Sequence, residues 1–132
     1  MIECFCDISE GLKAAWRNDE FLNQAVADVF CGRQFDIPSG PFVTIEEFDG
    51  QPNGCNHDVD YWSVPIIMTV RCIHKKSVAS QIRTAVKDAF ESLQFQLECH
   101  TMYGLTMSRF PAIQEINKEY QIRFQFTAKV YS

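Results

Sequence analysis

Basic residues are scarce in this chain: Lys and Arg number 12 against 17 Asp and Glu, a formal net charge of −5 over 132 residues. A protein that grips nucleic acid through its phosphates carries the opposite balance, so sequence-specific nucleic-acid binding is not expected. Long apolar runs are missing too. The most apolar stretch, residues 64–70, contains Pro65 and Thr69 and falls far short of the ~20 residues a membrane helix needs. Glu3, Asp7 and Glu10 precede the first lysine, which does not suit the basic start of a secretory signal. Glycine (6) and proline (5) are sparse, and no repeat, linker or low-complexity segment is visible. The sequence contains no G-x-G-x-x-G, no G-x-x-x-x-G-K-[ST], no H-E-x-x-H and no G-x-S-x-G, the patterns that cradle phosphates, hold zinc or expose a nucleophilic serine.

What is present is an ordinary globular composition, 46% apolar and 22% charged, which supports a packed core in a chain of single-domain length. Six cysteines stand at 4, 6, 31, 55, 72 and 99. Most lie among apolar neighbours, where a reduced thiol behaves as a small hydrophobe, so we expect a reducing compartment and no disulfides.

The hydrophobic period changes along the chain. Asp7 with Glu10 resembles a capping box, and Ile8, Leu12, Ala15 and Trp16 follow at helical spacing. Asn18-Asp19 is a second cap signal. Phe21, Leu22, Ala25, Val26, Val29 and Phe30 then predict a second helix that Gly32 ends, with one bent helix over both stretches as the alternative. Residues 42–48 and 59–73 alternate as strands, the second with Trp62, Val64, Ile66, Met68 and Val70 on one face. Pro65 within it removes a ladder donor, and a bulge there would accommodate it. Ser77 is a candidate cap for a long amphipathic helix whose stripe is Val78, Ile82, Ala85, Val86, Ala89, Phe90 and Leu93. Residues 97–108 read as a polar edge strand, 109–119 as irregular, and 120–130 as a strand with Tyr120, Ile122, Phe124, Phe126, Ala128 and Val130 inward. The expectation is an α+β fold, topology α-α-β-β-α-β-β, with a four-stranded, mainly antiparallel sheet in the order 1-2-4-3.

Candidate chemistry is thin. Cys55 and His57, with Asp58 and Asp60 nearby, lack the paired spacing of a zinc site and suit a polar loop better. Cys4 and Cys6 would share one strand face and are not a C-x-x-C pair. Cys99 and His100 are adjacent on a strand and point apart, so they cannot form a nucleophile–base dyad. Glu46 and Glu47 diverge for the same reason. With Asp49, Asp58 and Asp60 they form an acidic hairpin, read either as a solvated loop or as a surface facing DNA or a basic partner. No catalytic residue, cofactor or metal is expected. The alternative from a different class is a small α+β enzyme or ligand-binding domain with a site near Cys55, His57 and His100.

The succession of pieces carries a resemblance. Asn18-Asp19-Glu20-Phe21-Leu22 leads to Val29-Phe30, then to Gly32-Arg33-Gln34-Phe35-Asp36 and Pro41-Phe42-Val43-Thr44-Ile45. Next come Trp62-Ser63-Val64-Pro65-Ile66-Ile67-Met68-Thr69-Val70, the helix at 78–93 and a final hairpin. In this layout the chain resembles the tail-completion and tail-terminator proteins of siphophages and prophages over residues 8–131. It departs from them in its cysteine-rich start and its long 49–58 loop. The resemblance implies one tail-terminator-like domain over 1–132, a minor tail protein without enzymatic activity. It implies a ring, a hexamer, that caps the tail tube and joins it to the head connector. The partners are then further copies, the major tail-tube protein and the head–tail connector protein, with no membrane. The location is the virion tail, after assembly in the cytoplasm of the bacterial host. Interface or lumen residues on this reading are Glu46, Glu47, Asp49, Asp58, Asp60, Arg123 and Lys129.

Overall fold

Helix α1 spans Asp7–Asn18 and α2 spans Glu20–Ala25 in the computed structural model, which describes residues 7–32, 40–48, 51–52, 61–91, 93–96 and 101–131. The joint between the helices follows from one residue. The Asp19 amide closes α1 on the carbonyls of Ala15 and Trp16, while its side chain accepts from the Leu22 amide at 3.0 Å and opens α2. An aspartate in that position satisfies one of the orphan donors of the second helix. On α1, Ile8, Leu12 and Trp16 recur every fourth residue, and all are buried.

The second helix stops earlier than the spacing predicts. Val26 is already extended (φ −142°, ψ 106°), and Val29 and Phe30 lie in strand β1, Asp28–Cys31. The buried Trp16 indole donates from Nε1 to the Val26 carbonyl at 2.8 Å, turning the chain out of the helix there. Valine and phenylalanine suit a pleated surface as readily as a helix, and pairing decided between them. Gly32, at φ +89°, ends this strand rather than a helix.

Among the described residues the sheet has eight strands, with β1 through β2 (Phe42–Glu47), β4 (Tyr61–Ile73), β8 (Glu119–Tyr131), β6 (Thr101–Met107) and β5 (Phe95–Gln96) in spatial order. Two short strands lie off this path: β3 (Gln51–Pro52) pairs with β4, and β7 (Ile113–Ile116) pairs with β8. The four expected strands thus lie in the expected order, 1-2-4-3, inside a larger mixed sheet. β1 runs parallel to β2, and the other pairs are antiparallel. The two long apolar strands, β4 and β8, are the central pair. The stretch expected as one strand at 97–108 is described as β5 and β6, with residues 97–100 outside the described residues and a register shift between Met102 and Gly104.

Pro65 needs no bulge. It is in register with Thr127, and its carbonyl accepts from the Phe48 amide at 3.0 Å, just past the end of β2. The missing proline N–H therefore costs only the last bond of that ladder. The bulge in β4 falls instead between Val70 and Ile73, where Cys72 sits at φ 63°. Burial and the Glu119 carboxylate, to which its thiol donates, push the Cys72 thiol pKa up.

Residues 113–119 are not irregular. β7 and β8 form a hairpin whose two-residue turn, Asn117-Lys118, has φ of 51° and 67°, the left-handed pair of a type I′ turn.

Helix α3, Lys76–Phe90, is capped by the Lys75 position with no side-chain bond, not by Ser77, and ends before Leu93. Its Ala79, Ile82, Val86 and Phe90 are buried, and it packs on β8, β4 and β7. The core is one layer between the helices and one sheet face. Trp16, Phe90 and Phe126 stand in a chain of ring contacts at 6.3 and 6.2 Å, and Phe124 stacks on Phe126 at 6.1 Å.

Candidate assembly surface

The face of β8 turned away from the helices is the polar one. Strand alternation puts Gln121, Arg123, Gln125, Thr127 and Lys129 on it. Arg123, Gln125 and Lys129 are exposed, and Gln121 and Thr127 are half-buried. Across the central pair, Thr69 is in register with Arg123 and Ile67 with Gln125. Arg71, two residues from Thr69, is exposed beside them. No carboxylate lies between Arg71, Arg123 and Lys129 on these two strands. The acids of this face stand at its margins, with Glu46 half-buried on β2 opposite Ile67, and Glu119 held by Cys72.

Glu46 and Glu47 do diverge. Glu47 turns to the helical side, where its carboxylate accepts from the Ser9 amide at 2.5 Å and the Ser9 hydroxyl at 2.7 Å. That places a negative group at the N-terminus of α1, where the helix dipole favours it. Of the acidic residues singled out in the sequence, Asp49, Asp58 and Asp60 lie outside the described residues, as do Cys55, His57 and His100. Among the described residues no group of three His, Cys, Asp or Glu side chains could hold a metal ion, and no helix is long and apolar enough to cross a membrane.

Beside Arg123 the sheet has a gap. β6 pairs with β8 as far as Phe126, β7 begins at Ile122, and no strand residue is in register with Arg123 on that side. The connecting segment 108–112 bows outward. It is tied at one end by the Ser108 amide to the Gln125 carbonyl, 2.9 Å. It is held at the other by α3, where the Arg83 guanidinium donates to the Pro111 carbonyl at 3.1 Å and lies 4.7 Å from the Phe110 ring centre. Lys87 approaches the same ring at 5.5 Å. These contacts brace the segment from behind. In front of it opens a depression of about 560 Å³ lined by Ser108, Arg109, Gln114, Arg123 and Gln125 among others, with no acidic side chain among the described residues. Arg109 was not visible as a site residue in the sequence, because it falls where no period operates.

Exposed large apolar side chains are scattered: Phe21, Phe48, Phe110 and Ile116, each 40–46% accessible. Phe48 lies at the end of β2 and Ile116 at the β7–β8 hairpin.

No protein-family model matches the chain, and no curated protein matches it either. Solved structures do. One similar chain belongs to the virion of a native gene transfer agent particle. It superposes with a TM-score of 0.67 at 17% identity, and the match covers 92% of this chain and 95% of that one. At that identity the likeness is one of fold, along nearly the whole length of both chains.

Proposed function

We propose that this chain is a virion structural protein of a phage or prophage, without enzymatic activity. More specifically, we read it as a tail terminator that closes the tail tube as a ring, a hexamer, and joins it to the head connector. The observation that carries the reading is the end-to-end fold likeness to a chain of a gene transfer agent virion. Fold alone assigns no function, but one feature is in keeping with this one. The polar sheet face exposes Arg71, Arg123 and Lys129, while the sequence of the 46–60 run has five acidic residues and no Lys or Arg, and repeated copies can use groups of both signs. The partners are further copies of the chain, the major tail-tube protein and the connector protein, and the place is the tail of the virion. Glu46, Asp49, Asp58, Asp60, Arg123 and Lys129 belong to its contacts, whereas Glu47 serves helix α1.

The test is negative-stain microscopy of the purified protein mixed with the tail-tube protein encoded beside it. Rings of tube width, and tubes closed at one end, are expected. A variant lacking residues 50–57 keeps its circular-dichroism spectrum and fails to cap. Uncapped tubes with the intact chain, or normal capping by the deletion, would overturn the assignment.

A further inference from the structure

We infer that the depression beside Arg123 is a binding notch for a short acidic peptide. Its occupant is an extended segment of a partner protein whose Asp or Glu carboxylate sits on Arg109 and Arg123 and whose main chain pairs with that of Arg123. The inference concerns the folded chain alone and does not depend on the ring-forming reading above.

The first argument is charge. Arg109 and Arg123 both line the notch, both are exposed, and neither has a hydrogen-bond or ion-pair partner among the described residues. A guanidinium presents its donors in a fork that matches a carboxylate in two-point geometry. Behind the notch, Arg83 and Lys87 on the Phe110 ring add two more positive charges. The described acids of this sheet face are Glu119, held by Cys72, and Glu46, which is half-buried and reaches Gln125 in register only through Ile67. Two strand spacings separate Glu46 from β8, about 10 Å at ~4.8 Å each, which is beyond ion-pair distance. An incoming carboxylate is therefore drawn to the arginine side of the notch, and Glu46 repels it from the other side.

The second argument is the backbone. In an antiparallel ladder a residue turns its N–H and C=O to the same side, alternating along the strand. The Gln125 carbonyl accepts from the Ser108 amide on the β6 side, so Arg123, two residues away, turns its own N–H and C=O to that side as well. β6 pairs with β8 only as far as Phe126 and β7 begins at Ile122, so no strand pairs with Arg123 there. Segment 108–112 is held off β8 where Arg83 fastens the Pro111 carbonyl and the Phe110 ring to α3. The notch thus offers a main-chain donor and a main-chain acceptor beside the two cations.

The third argument selects the occupant. A phosphate or sulfate brings acceptors alone, and it leaves the Arg123 carbonyl without a donor. An extended peptide brings N–H and C=O groups together with its carboxylate, so it satisfies donor and acceptor alike. The side-chain amides of Gln114 and Gln125 at the wall carry both kinds of group as well. Size agrees. The depression of about 560 Å³ falls within the ~300–1,000 Å³ of ordinary ligand sites, too large for one oxyanion to fill and suited to a few residues. Charge then selects an acidic segment, because a neutral or basic one leaves both guanidiniums uncompensated.

The experiment is fluorescence anisotropy of the full chain with a rhodamine-labelled, C-terminally amidated hexapeptide of alternating Asp and Val, whose acids share one face when it is extended. Saturable binding is expected below about 1 mM peptide at about 0.05 M salt, and weaker binding at about 0.15 M. The matching peptide of alternating Asn and Val binds at least about tenfold more weakly, for want of a charged acceptor. Arg109→Gln and Arg123→Gln each weaken the Asp–Val peptide at least about fivefold, with thermal melting as the check on folding. Arg109→Lys and Arg123→Lys, which keep the charge and lose the fork, are the milder variants and weaken it about threefold. Lys118→Gln, at the turn of the β7–β8 hairpin, leaves binding as it is. In the amide NMR spectrum the Arg123 N–H shifts on binding and gains protection from hydrogen exchange, which a charge contact alone does not produce.

No saturable binding by about 1 mM peptide, equal binding of the Asn–Val peptide, or full affinity in the folded arginine variants would each overturn the inference. An Arg123 amide that neither shifts nor gains protection would overturn the main-chain pairing, and with it the choice of a peptide. Displacement of the labelled peptide by inorganic phosphate or a short DNA duplex at lower concentration than by unlabelled Asp–Val peptide would reassign the notch to phosphate and overturn the proposal. None of these results bears on whether rings form with the tube protein, so the ring-forming reading fails or survives on the microscopy alone.

Discussion

Trp16→Phe tests the contact that converts the predicted second helix into strand β1. The Trp16 ring is wholly buried, and its indole N–H is donated to the Val26 carbonyl at 2.8 Å. Phenylalanine keeps most of the ring and loses that donor. Leaving a buried carbonyl without its partner costs about 1–3 kcal/mol. The smaller ring leaves a void against Phe90, which adds about 1 kcal/mol at ~24 cal/mol per Å³ of unfilled space. The expected loss is about 2–4 kcal/mol. At ~2.1 cal/mol/K of unfolding entropy per residue, the 132 residues give about 0.28 kcal/mol/K. The melting temperature then falls by about 7–14 °C. Far-UV circular dichroism measures it, and does not depend on the tryptophan signal the substitution removes. Hydrogen exchange supplies the local readout: the amides of Phe30 and Gly32, which face β2, lose more protection than those of Met68 and Val70 in the central strand. A fall in melting temperature below about 3 °C, or equal loss of protection across β1 and β4, would refute the claim that this bond sets the turn.

Two further substitutions test features of the same fold. Glu47→Gln removes the charge at the N-terminus of α1 while keeping an acceptor for Ser9. We expect a loss of about 0.5–1.5 kcal/mol in urea denaturation with self-association unchanged, and weakened association at unchanged stability would show that Glu47 faces a partner instead. Lys118→Gly relieves a left-handed residue at φ 67° and is expected to stabilise the protein by about 1 kcal/mol at an unchanged denaturant slope, whereas a destabilising effect would refute the type I′ assignment.

How far the sequence carries depends on whether one physical signal dominates. At β4, β8 and α3 the apolar period is long and unbroken, and the strands fell in the expected order because the two most apolar ones take the centre. At 26–31 the residues suit helix and strand equally. The choice was made by the indole bond from α1 and by pairing with β2, and neither is local. At 113–119 the signal was present and easily overlooked. Asn117 tolerates a left-handed backbone, and Ile116 and Glu119 stand as the pair closing a two-residue loop, but Lys118 disguises the usual Asn-Gly pattern. The exposure of Arg123 and Lys129 on the polar face of β8 was legible from alternation. Arg109 was not, because its place in the notch depends on a gap between β6 and β7 that no period announces. Glu47 was read as surface, and only the position of Ser9 in three dimensions assigns it to a helix terminus.

The edges of the sheet bear on how copies of this chain can meet. Strand addition along an exposed edge is the simplest way for β proteins to associate, and short edge strands are a common means of preventing it. Here the described outer strands are β1, of four residues, and β5, of two. A neighbour adding at either one would form only a few main-chain bonds. The long strands, β4 and β8, lie in the middle with both sides largely paired. Among the described residues the ladder of β8 is interrupted at the β4 bulge opposite Gln121 and, on the other side, opposite residues 123–125, where Arg109 and Arg123 line a depression. On the proposed assembly role, association is directed away from these edges and onto side chains of the polar face. Such a contact is specific in charge, sensitive to salt and reversible. A protein that must stay apart in dilute solution and assemble only on a growing particle is served by this arrangement. If the chain assembles as proposed, mutating Lys129 at the rim of the face changes the salt dependence and rate of assembly more than its final extent.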